Sequence, residues 1–378
     1  MIYRPFQDKQ LSALGLGTMR LPTLGANNEI DVEATKRMVA YAMEKGINYF
    51  DTAYGYHGGN SEPVMGEVLS AYPRESYYLA SKFPGYDLSN MDKVEEIFES
   101  QLKRCRTEYF DFYLFHCLCE MNVGPYLDEK NGIVAYLLEQ KKRGRIRHLG
   151  VSTHASPETT CRFLDALDGN IEFCQIQLNW LDWDFQQAGR VVSLLRERGI
   201  PVWVMEPLRG GSLLKLAERH EARLRELAPD RSLPEWGFRF LEDIEGVTVV
   251  LSGMSNEEQL RENIAIFSQE KPLSALERDT LLSIGYEMTH EKSLPCTACR
   301  YCTDYCPQGL DIPRLVALYN EHVYSGGNFM APYTLRGFSK DKWPSACIAC
   351  RACEGVCPQG IKIPDKLRDI AGLVERIR

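Results

Sequence analysis

The stretch IRHLGVSTHASPETTCRFLDALDGNIEFCQIQL, residues 146–178, has a short apolar run at each end and an amphipathic segment between them. The runs Ile146–Val151 and Phe173–Leu178 predict strands, and Pro157–Leu167 predicts a helix. Strands that alternate with helices in this way are typical of a parallel sheet whose helices cross from one strand to the next. The stretch therefore predicts a β–α–β unit.

The same alternation continues in both directions, from Leu14 to about Phe267. Six further apolar runs bring the predicted strands to eight; they are Leu14–Leu16, Ile47–Phe50, Tyr77–Ala80, Phe110–Phe115, Pro201–Met205 and Val247–Leu251. Eight repeats in roughly 250 residues favour a closed (β/α)8 TIM barrel over a doubly wound sheet. The absence of G-x-G-x-x-G after the first run also disfavours a dinucleotide-binding Rossmann fold.

The segments around the strands predict helices and a second domain. The other helical patterns are Val32–Glu44, Asp92–Arg104, Tyr126–Arg143, Phe185–Arg198 and Glu257–Ile266. Residues 3–6 and 10–14 predict a hairpin at the bottom of the barrel, and Ser274–Thr289 predicts a linking helix. We therefore expect an α/β barrel with its hairpin over residues 1–290 and a C-terminal, mainly helical domain over residues 291–378.

The C-terminal region contains one cysteine motif twice. The copies are Cys296-x2-Cys299-x2-Cys302-x3-Cys306-Pro307 and Cys347-x2-Cys350-x2-Cys353-x3-Cys357-Pro358. In such runs three close thiolates hold one [4Fe–4S] cluster, and the fourth cysteine ligates the other cluster. We predict two [4Fe–4S] clusters with crossed ligands. One has Cys296, Cys299, Cys302 and Cys357, and the other has Cys347, Cys350, Cys353 and Cys306.

Zinc is a weaker alternative, because a zinc site needs only paired C-x2-C motifs and each copy here has a third cysteine at the same spacing. The 40 residues between Cys306 and Cys347 exceed the connection of a small bacterial ferredoxin. This length resembles the helical ferredoxin-type domains of multi-subunit reductases. The remaining cysteines lie mostly in apolar surroundings and predict buried structural thiols; they are Cys105, Cys117, Cys119, Cys161 and Cys174.

Ionisable residues stand at the ends of three successive predicted strands, where barrel enzymes build their active sites. They are Asp51, Lys82 and His116, with two tyrosines, Tyr54 and Tyr56, close after Asp51. A carbonyl that accepts hydride needs a nearby acid, and an ammonium next to a phenol strengthens that phenol as a proton donor. Lys82 can supply the ammonium, Asp51 can hold Lys82, and His116 can orient the carbonyl oxygen.

These residues resemble the aldo-keto reductase family over about residues 10–266. Further matches are Gly150-Val-Ser152, Gln175-Ile-Gln177-Leu-Asn179, Pro207-Leu208 before Gly210-Gly211, and Ser252-Gly253 followed by Gln259 and Asn263. The family spacing of five residues from the aspartate selects Tyr56 over Tyr54 as the proton donor. The resemblance implies binding of NAD(P)(H) and a small-molecule carbonyl or alcohol substrate.

The resemblance also implies which residues contact the cofactor. Ser152, Gln177 and Asn179 should hold the nicotinamide carboxamide, Ser252 and Gly253 should meet phosphate, and Gln259 and Asn263 should approach the adenosine. Met205 stands where the family commonly has an aromatic residue that stacks on the nicotinamide. A thioether can cover a ring face, with a less defined geometry. Arg261 is the nearest candidate for a 2′-phosphate contact, so NAD and NADP both remain open.

Composition excludes some classes of partner. The formal net charge of −8 argues against nucleic acid or an anionic membrane as the main partner. No apolar run has the length needed to span a bilayer, and the N-terminal residues lack the layout of a signal peptide. We therefore expect a cytoplasmic protein.

The two predicted redox centres transfer different numbers of electrons, because hydride carries two and each cluster carries one. A mediator such as flavin normally joins them, and the sequence has no independent flavin motif. Three hypotheses follow. The clusters exchange electrons with a redox protein partner or a bound redox ligand, or they are structural in an ordinary NAD(P)H-dependent reductase, or the chain is a non-catalytic electron carrier or redox sensor.

Overall fold

The computed structural model describes residues 1–25, 29–291, 293–296, 298–327 and 330–375. Its strands are β1 Tyr3–Phe6, β2 Lys9–Ser12, β3 Leu14–Gly17, β4 Thr23–Leu24, β5 Glu29–Ile30, β6 Tyr49–Asp51, β7 Tyr78–Phe83, β8 Phe110–Leu118, β9 Ile146–Thr153, β10 Phe173–Gln177, β11 Val202–Met205 and β12 Val247–Ser252. Strands β3 and β6 to β12 pair in parallel, in chain order, and close into a barrel. The predicted (β/α)8 fold is confirmed.

Several barrel strands continue beyond the apolar runs that predicted them. β7 extends to Phe83, β8 to Leu118 and β9 to Thr153, so Lys82, His116 and Ser152 lie within strands. Lys82 is paired in register with Leu114, and Ser152 with Gln175. The side chains of Lys82 and Ser152 make hydrogen bonds inside the barrel, and the backbone ladder therefore does not need to end where the apolar residues end.

The described helices are α1 Val32–Glu44, α2 Ser61–Leu69, α3 Val94–Arg104, α4 Val123–Leu127, α5 Ile133–Lys142, α6 Pro157–Ala166, α7 Asp182–Phe185, α8 Ala188–Glu197, α9 Glu218–Leu227, α10 Leu233–Glu242, α11 Glu257–Ile266, α12 Ala275–His290, α13 Tyr301–Asp304, α14 Ile312–Tyr324, α15 Met330–Arg336, α16 Ala352–Gly355 and α17 Ile363–Glu375. In the part of the chain that the structure describes, none of them is both long and apolar enough to cross a membrane.

Two of the predicted helices are interrupted. The segment predicted over residues 126–143 breaks between α4 and α5, where Asp128 accepts the backbone N–H of Lys130 and Gly132 adopts a left-handed φ of 64°. The segment predicted over residues 185–198 continues as α8 only after Gln187, whose φ is 56°. Both breaks are backbone features that hydrophobic periodicity does not report.

The N-terminal strands β1 and β2 form the predicted antiparallel hairpin. Phe6 and Leu11 belong to the cluster of buried side chains inside the barrel. The ring centroid of Phe6 lies 5.6 Å from that of Phe112 and 5.1 Å from that of Trp203, both near the N-terminal ends of their strands. The hairpin therefore fills the end of the barrel opposite the candidate active site.

The chain divides into two compact units, Met1–Leu118 with Pro125–Leu282, and Cys119–Gly124 with Ser283–Arg378. The second unit is helical and has its own core, which includes Leu310, Leu315, Leu367 and Ile370 at 1% exposure or less. Leu315 lies in α14, Leu367 and Ile370 lie in α17, and Leu310 lies just before α14. The second unit is thus packed around apolar residues of its own.

Candidate active site and cysteine cavities

Asp51 and Lys82 form a buried ion pair between the neighbouring strands β6 and β7. Lys82 Nζ donates hydrogen bonds of 2.7 Å to Asp51 Oδ1 and 2.7 Å to the backbone oxygen of Thr52. The side chains are 0% and 3% exposed for Lys82 and Asp51. Burial lowers the pKa of Lys82 and raises that of Asp51, and the opposite charge of each partner counteracts both shifts. The pair places a fixed ammonium at this end of the barrel.

Tyr56 lies next to that ammonium, with Lys82 Nζ 5.0 Å from the centroid of the phenol ring. The pKa of Tyr56 is raised well above its usual value, first by burial and then by the charges of Asp51 and Glu206. Burial has the larger effect and outweighs the attraction of the nearby ammonium for the ionised phenol, so the net pKa of Tyr56 is raised. Tyr56 keeps its proton at neutral pH, which a proton donor must do.

His116 in β8 completes the predicted group. Its ring makes edge contacts with Tyr56 and Tyr86, at centroid distances of 6.0 and 5.2 Å. Burial, with the nearby charges of Lys82 and His154, holds the pKa of His116 well below its usual value. The neutral ring has one N–H to donate, and its Nδ1 has no hydrogen-bond partner among the described residues. His116 can therefore donate to a carbonyl oxygen.

The residues predicted to hold the carboxamide differ in how many hydrogen bonds they already make within the protein. Ser152 Oγ accepts the backbone N–H of Cys117 at 2.8 Å. Gln177 Nε2 and Asn179 Nδ2 both donate to Asp182 Oδ2, at 2.8 and 2.7 Å. Asn179 Oδ1 also accepts the backbone N–H groups of Leu181 and Asp182. The Asn179 amide therefore shapes the turn into α7.

Gln175 was not among the predicted site residues. It is buried and paired in register with Ser152, and its Oε1 has no hydrogen-bond partner among the described residues. Its Nε2 lies 3.6 Å from the Met205 sulfur. Buried amide oxygens without a partner are rare in folded proteins, so this oxygen marks a place for a donor from a ligand. Alternation along β10 puts Gln175 on the same face as Gln177, which is the signal that could have found it.

The predicted phosphate and adenosine contacts lie after β12 and in α11. Ser252 Oγ accepts from Asn263 Nδ2 at 3.1 Å, and Gln259 Oε1 accepts the backbone N–H of Ser255 at 2.8 Å. Arg261 lies 4.1 Å over the ring of Tyr41 and pairs with Glu257 at 3.4 Å. Ser252 and Asn263 thus contact each other, Gln259 contacts the loop that follows β12, and Arg261 is held on the protein surface.

Arg20 is a second residue that sequence reasoning missed. A Cβ on Gly210 would lie 3.0 Å from Arg20 Nη2, and a Cβ on Gly253 would lie 3.1 Å from Arg20 Cβ. The Arg20 side chain is 47% exposed, and its guanidinium is 3.7 Å from Glu206 Oε1. A guanidinium beside glycine backbone suits a phosphate group. No sequence motif indicates it, because Arg20 lies far along the chain from both glycines.

The eight motif cysteines line two cavities in the second unit. Cys296, Cys299, Cys302 and Cys357 line one of them. Cys306, Cys347, Cys350 and Cys353 line the other. In both cavities three cysteines of one motif meet the last cysteine of the other. Four thiols around each space fit the four-cysteine ligand set of a [4Fe–4S] cluster.

The backbone of the two motifs turns in the same way. Ala298 and Arg300 have φ values of 52° and 66°, and the equivalent Ala349 and Arg351 have 55° and 63°. Left-handed residues at equal positions bend each run around its cavity. Among the other cysteines, Cys105, Cys117, Cys119 and Cys174 are buried as expected, but Cys161 is partly exposed and lies 2.9 Å from Arg198 Nη2. The prediction that Cys161 is a buried structural thiol is therefore wrong.

Comparison with known proteins gives two family matches. Residues 13–284 match the Aldo/keto reductase family, and residues 295–362 match the 4Fe-4S dicluster domain. The chain is 30% identical to "Probable aldo-keto reductase 1" of Glycine max over 54% of this chain and 58% of that protein. It is 28% identical to the NADH-specific methylglyoxal reductase of Escherichia coli over 54% of this chain and 66% of that protein.

The chain thus spans about six tenths of the length of these curated relatives. Among solved structures, the aldo-keto reductase AKR11C1 of Bacillus halodurans in its holo form is 26% identical and has a TM-score of 0.62. That similarity covers 75% of this chain and 96% of the other. The matched region contains the barrel and the group around Lys82. The chain belongs to the aldo/keto reductase family and carries, after the barrel, an iron–sulfur domain of the 4Fe-4S dicluster type.

Proposed function

We propose that this protein is an oxidoreductase that reduces a small carbonyl compound with NAD(P)H, and that its C-terminal domain holds two [4Fe–4S] clusters. The observation that carries the proposal is the group at the mouth of β6, β7 and β8, in which Asp51 and Lys82 are buried and Tyr56 and His116 are partly exposed. It joins a protonated phenol, a fixed ammonium and a neutral imidazole within one site. A 2-oxoaldehyde such as methylglyoxal is the first substrate to test, because a relative carries that activity in its name.

Each residue has a role that follows from its surroundings. Tyr56 donates its proton to the carbonyl oxygen as that oxygen gains negative charge. Lys82, held by Asp51, stabilises the charge that develops on the phenol and on the substrate oxygen. His116 donates its N–H to the same oxygen and orients the carbonyl. NAD(P)H supplies the hydride that reduces the carbonyl carbon, so that the products are an alcohol and NAD(P)+.

The cofactor contacts are also proposed. Ser152 and Gln175 hold the carboxamide of the nicotinamide, with Met205 against its ring, and Gln177 and Asn179 stay predicted contacts of the carboxamide. Arg20, Ser252 and Gly253 contact the diphosphate, and Gln259 and Asn263 lie toward the adenosine. The unpartnered oxygen of Gln175 and the half-exposed guanidinium of Arg20 support this assignment.

NADH should be preferred over NADPH by at least about tenfold in kcat/KM. The two arginines nearest the proposed adenosine end, Arg37 and Arg261, both contact Glu257, each at 3.4 Å. Glu257 and Glu258 in the first turn of α11 would repel a 2′-phosphate. Steady-state rates with both cofactors test this, and Glu257→Gln should narrow the difference. Equal or better use of NADPH by the wild-type protein contradicts it.

For the clusters, we propose that electrons pass one at a time between them and a redox partner or bound redox ligand. The four-thiol cavities support cluster binding, and the 4Fe-4S family match supports an electron-transfer role. The structural alternative gives a different result. If a variant that lacks one cluster reduces methylglyoxal at the wild-type rate, the barrel chemistry does not need that cluster. That result would favour the structural alternative.

The proposal is tested with protein purified without oxygen. Methylglyoxal should oxidise NADH in stoichiometric amounts, and the rate should saturate with substrate. A panel of aldehydes and ketones extends the assay if methylglyoxal is a poor substrate. Absence of turnover with the whole panel, in protein that retains iron, would overturn the enzymatic proposal and favour the electron carrier or redox sensor.

A further inference from the structure

The loop that carries Tyr56 has little regular structure of its own. Within it, His57, Gly58 and Gly59 have left-handed φ values of 51°, 62° and 92°. For His57, which is not a glycine, this conformation persists only when surrounding contacts determine it. The position of the proposed proton donor therefore depends on the contacts that hold this loop in place.

Arg104, at the end of α3, donates hydrogen bonds to the loop on both sides of Tyr56. Its Nη2 donates to the backbone oxygen of Tyr54 at 3.2 Å and to the backbone oxygen of Gly59. Its guanidinium also lies 4.8 Å over the ring of Tyr54. One side chain thus fixes the residues two before and three after the phenol. The planar, multiply donating guanidinium suits this task better than an ammonium.

Glu62 holds Arg104 from inside the protein. Glu62 is 0% exposed, and its Oε2 lies 3.3 Å from Arg104 Nε. Its Oε1 accepts hydrogen bonds from Ser81 Oγ at 2.6 Å and from Gln101 Nε2 at 2.7 Å. A buried carboxylate is tolerated when it is paired and hydrogen-bonded in this way. Glu62 thereby joins α2, α3 and β7.

The same carboxylate also holds the strand that carries the ammonium. Ser81 is the neighbour of Lys82 in β7, and Gln101 Nε2 donates to the backbone oxygen of Lys82 at 3.0 Å. Gln101 is itself fixed by Tyr113, whose hydroxyl donates to Gln101 Oε1 at 2.5 Å. A continuous set of contacts therefore runs from the backbone of Lys82 to the loop of Tyr56, made of hydrogen bonds and of the ion pair between Glu62 and Arg104.

We infer that Glu62 and Arg104 are positioning residues that set the distance between the Tyr56 phenol and the Lys82 ammonium. The inference rests on the proposed function, because it assigns these residues a role in the same proton transfer. Neither side chain touches the reacting atoms. Their effect is geometric, and a displacement of about 1 Å at a reacting group can cost on the order of a hundredfold in rate.

Arg104→Lys is the main test. Lysine keeps a positive charge beside Glu62, so the barrel stays folded, but it cannot reach both carbonyl oxygens and cover the Tyr54 ring. We expect kcat to fall by roughly tenfold to a hundredfold while KM for the carbonyl changes little. Hydrogen exchange of backbone amides 53–60, measured by mass spectrometry without cofactor or substrate, should speed up in that segment alone.

Arg106→Gln is the matched control. Arg106 is two residues further on, 56% exposed and 3.9 Å from Glu67, and its replacement should alter neither kcat nor exchange in residues 53–60. In Arg104→Ala, added guanidinium should restore part of the lost kcat, whereas it should not stimulate the wild-type protein. Rescue of this kind distinguishes a positioning role from a general loss of stability.

The outcomes separate this inference from the proposed function. Wild-type kcat and wild-type exchange in folded Arg104→Lys would overturn the positioning role, even if Tyr56→Phe is inactive. Faster exchange over the whole barrel would also overturn it, because Arg104 would then act through global stability. If Tyr56→Phe is as active as the wild-type protein, the proposed function fails first, and the exchange experiment still reports whether Arg104 holds the loop.

Discussion

Tyr56→Phe should lower kcat for carbonyl reduction by about a hundredfold to ten-thousandfold. The change removes one hydroxyl and keeps the ring that lies beside Lys82 and His116. Because the raised pKa keeps the Tyr56 phenol protonated, its loss leaves the alkoxide that forms in the variant with no equally placed proton donor. Initial rates of NADH oxidation with methylglyoxal, measured without oxygen, give the effect directly. Binding of NADH, followed by its fluorescence, should stay close to the wild-type value.

The matched control is Tyr136→Phe, a phenol with its pKa raised to about 12 that contacts Glu99 on the outside of the barrel. Its rate should equal that of the wild-type protein. Tyr54→Phe tests the alternative proton donor, because Tyr54 is the other phenol close to Asp51. If Tyr54→Phe abolishes turnover and Tyr56→Phe does not, the assignment of the proton donor is wrong.

Pairs of cysteine variants should distinguish crossed from uncrossed cluster ligation. With crossed ligands, Cys306 and Cys347 serve the same cluster, so a Cys306→Ala/Cys347→Ala protein should retain one cluster, about four iron atoms per chain. Cys296 and Cys306 serve different clusters, and a Cys296→Ala/Cys306→Ala protein should lose nearly all of the roughly eight iron atoms of the wild type. Iron and acid-labile sulfide analysis of protein kept free of oxygen measures both.

Each pair removes two thiols and leaves six, so differences in cysteine number cannot explain the result. The prediction depends on the cavities, each of which is lined by three cysteines of one motif and one of the other. The reverse pattern, with iron retained in Cys296→Ala/Cys306→Ala and lost in Cys306→Ala/Cys347→Ala, would show that each motif holds its own cluster. Cys161→Ala, outside both motifs, should keep the full iron content.

The periodic parts of this fold could be predicted from the sequence. Apolar runs locate all eight barrel strands, because a parallel strand buried on both faces is a nearly continuous apolar segment. The strand ends were predicted too early at Lys82 and His116, since an apolar run ends at the first polar side chain while the backbone pairing of the strand continues past it. The helix breaks at Gly132 and Gln187 depend on local backbone geometry that periodicity does not contain.

The residues of the candidate site could be predicted only where they belong to a short sequence motif. Asp51, Tyr56, Lys82 and His116 stand at strand ends in a recognisable pattern, and the structure brings them together. Gln175 was not selected from the sequence, because Gln177 and Asn179 in the same motif were chosen instead. In the structure the amides of Gln177 and Asn179 donate to Asp182. The contacts of Arg20 and of the Glu62–Arg104 pair join residues distant in sequence, so they become visible only once the barrel closes.

Transfer of the label from deuterated NADH tests the central claim most directly. Wild-type protein, prepared without oxygen, is given methylglyoxal and NADH deuterated at the transferred position of C4, and the alcohol is examined by mass spectrometry. The account predicts a product with one deuterium on the former carbonyl carbon, formed about a hundredfold to ten-thousandfold more slowly with Tyr56→Phe. Oxidation of NADH that reduces the clusters and leaves methylglyoxal unlabelled and unreduced would contradict it.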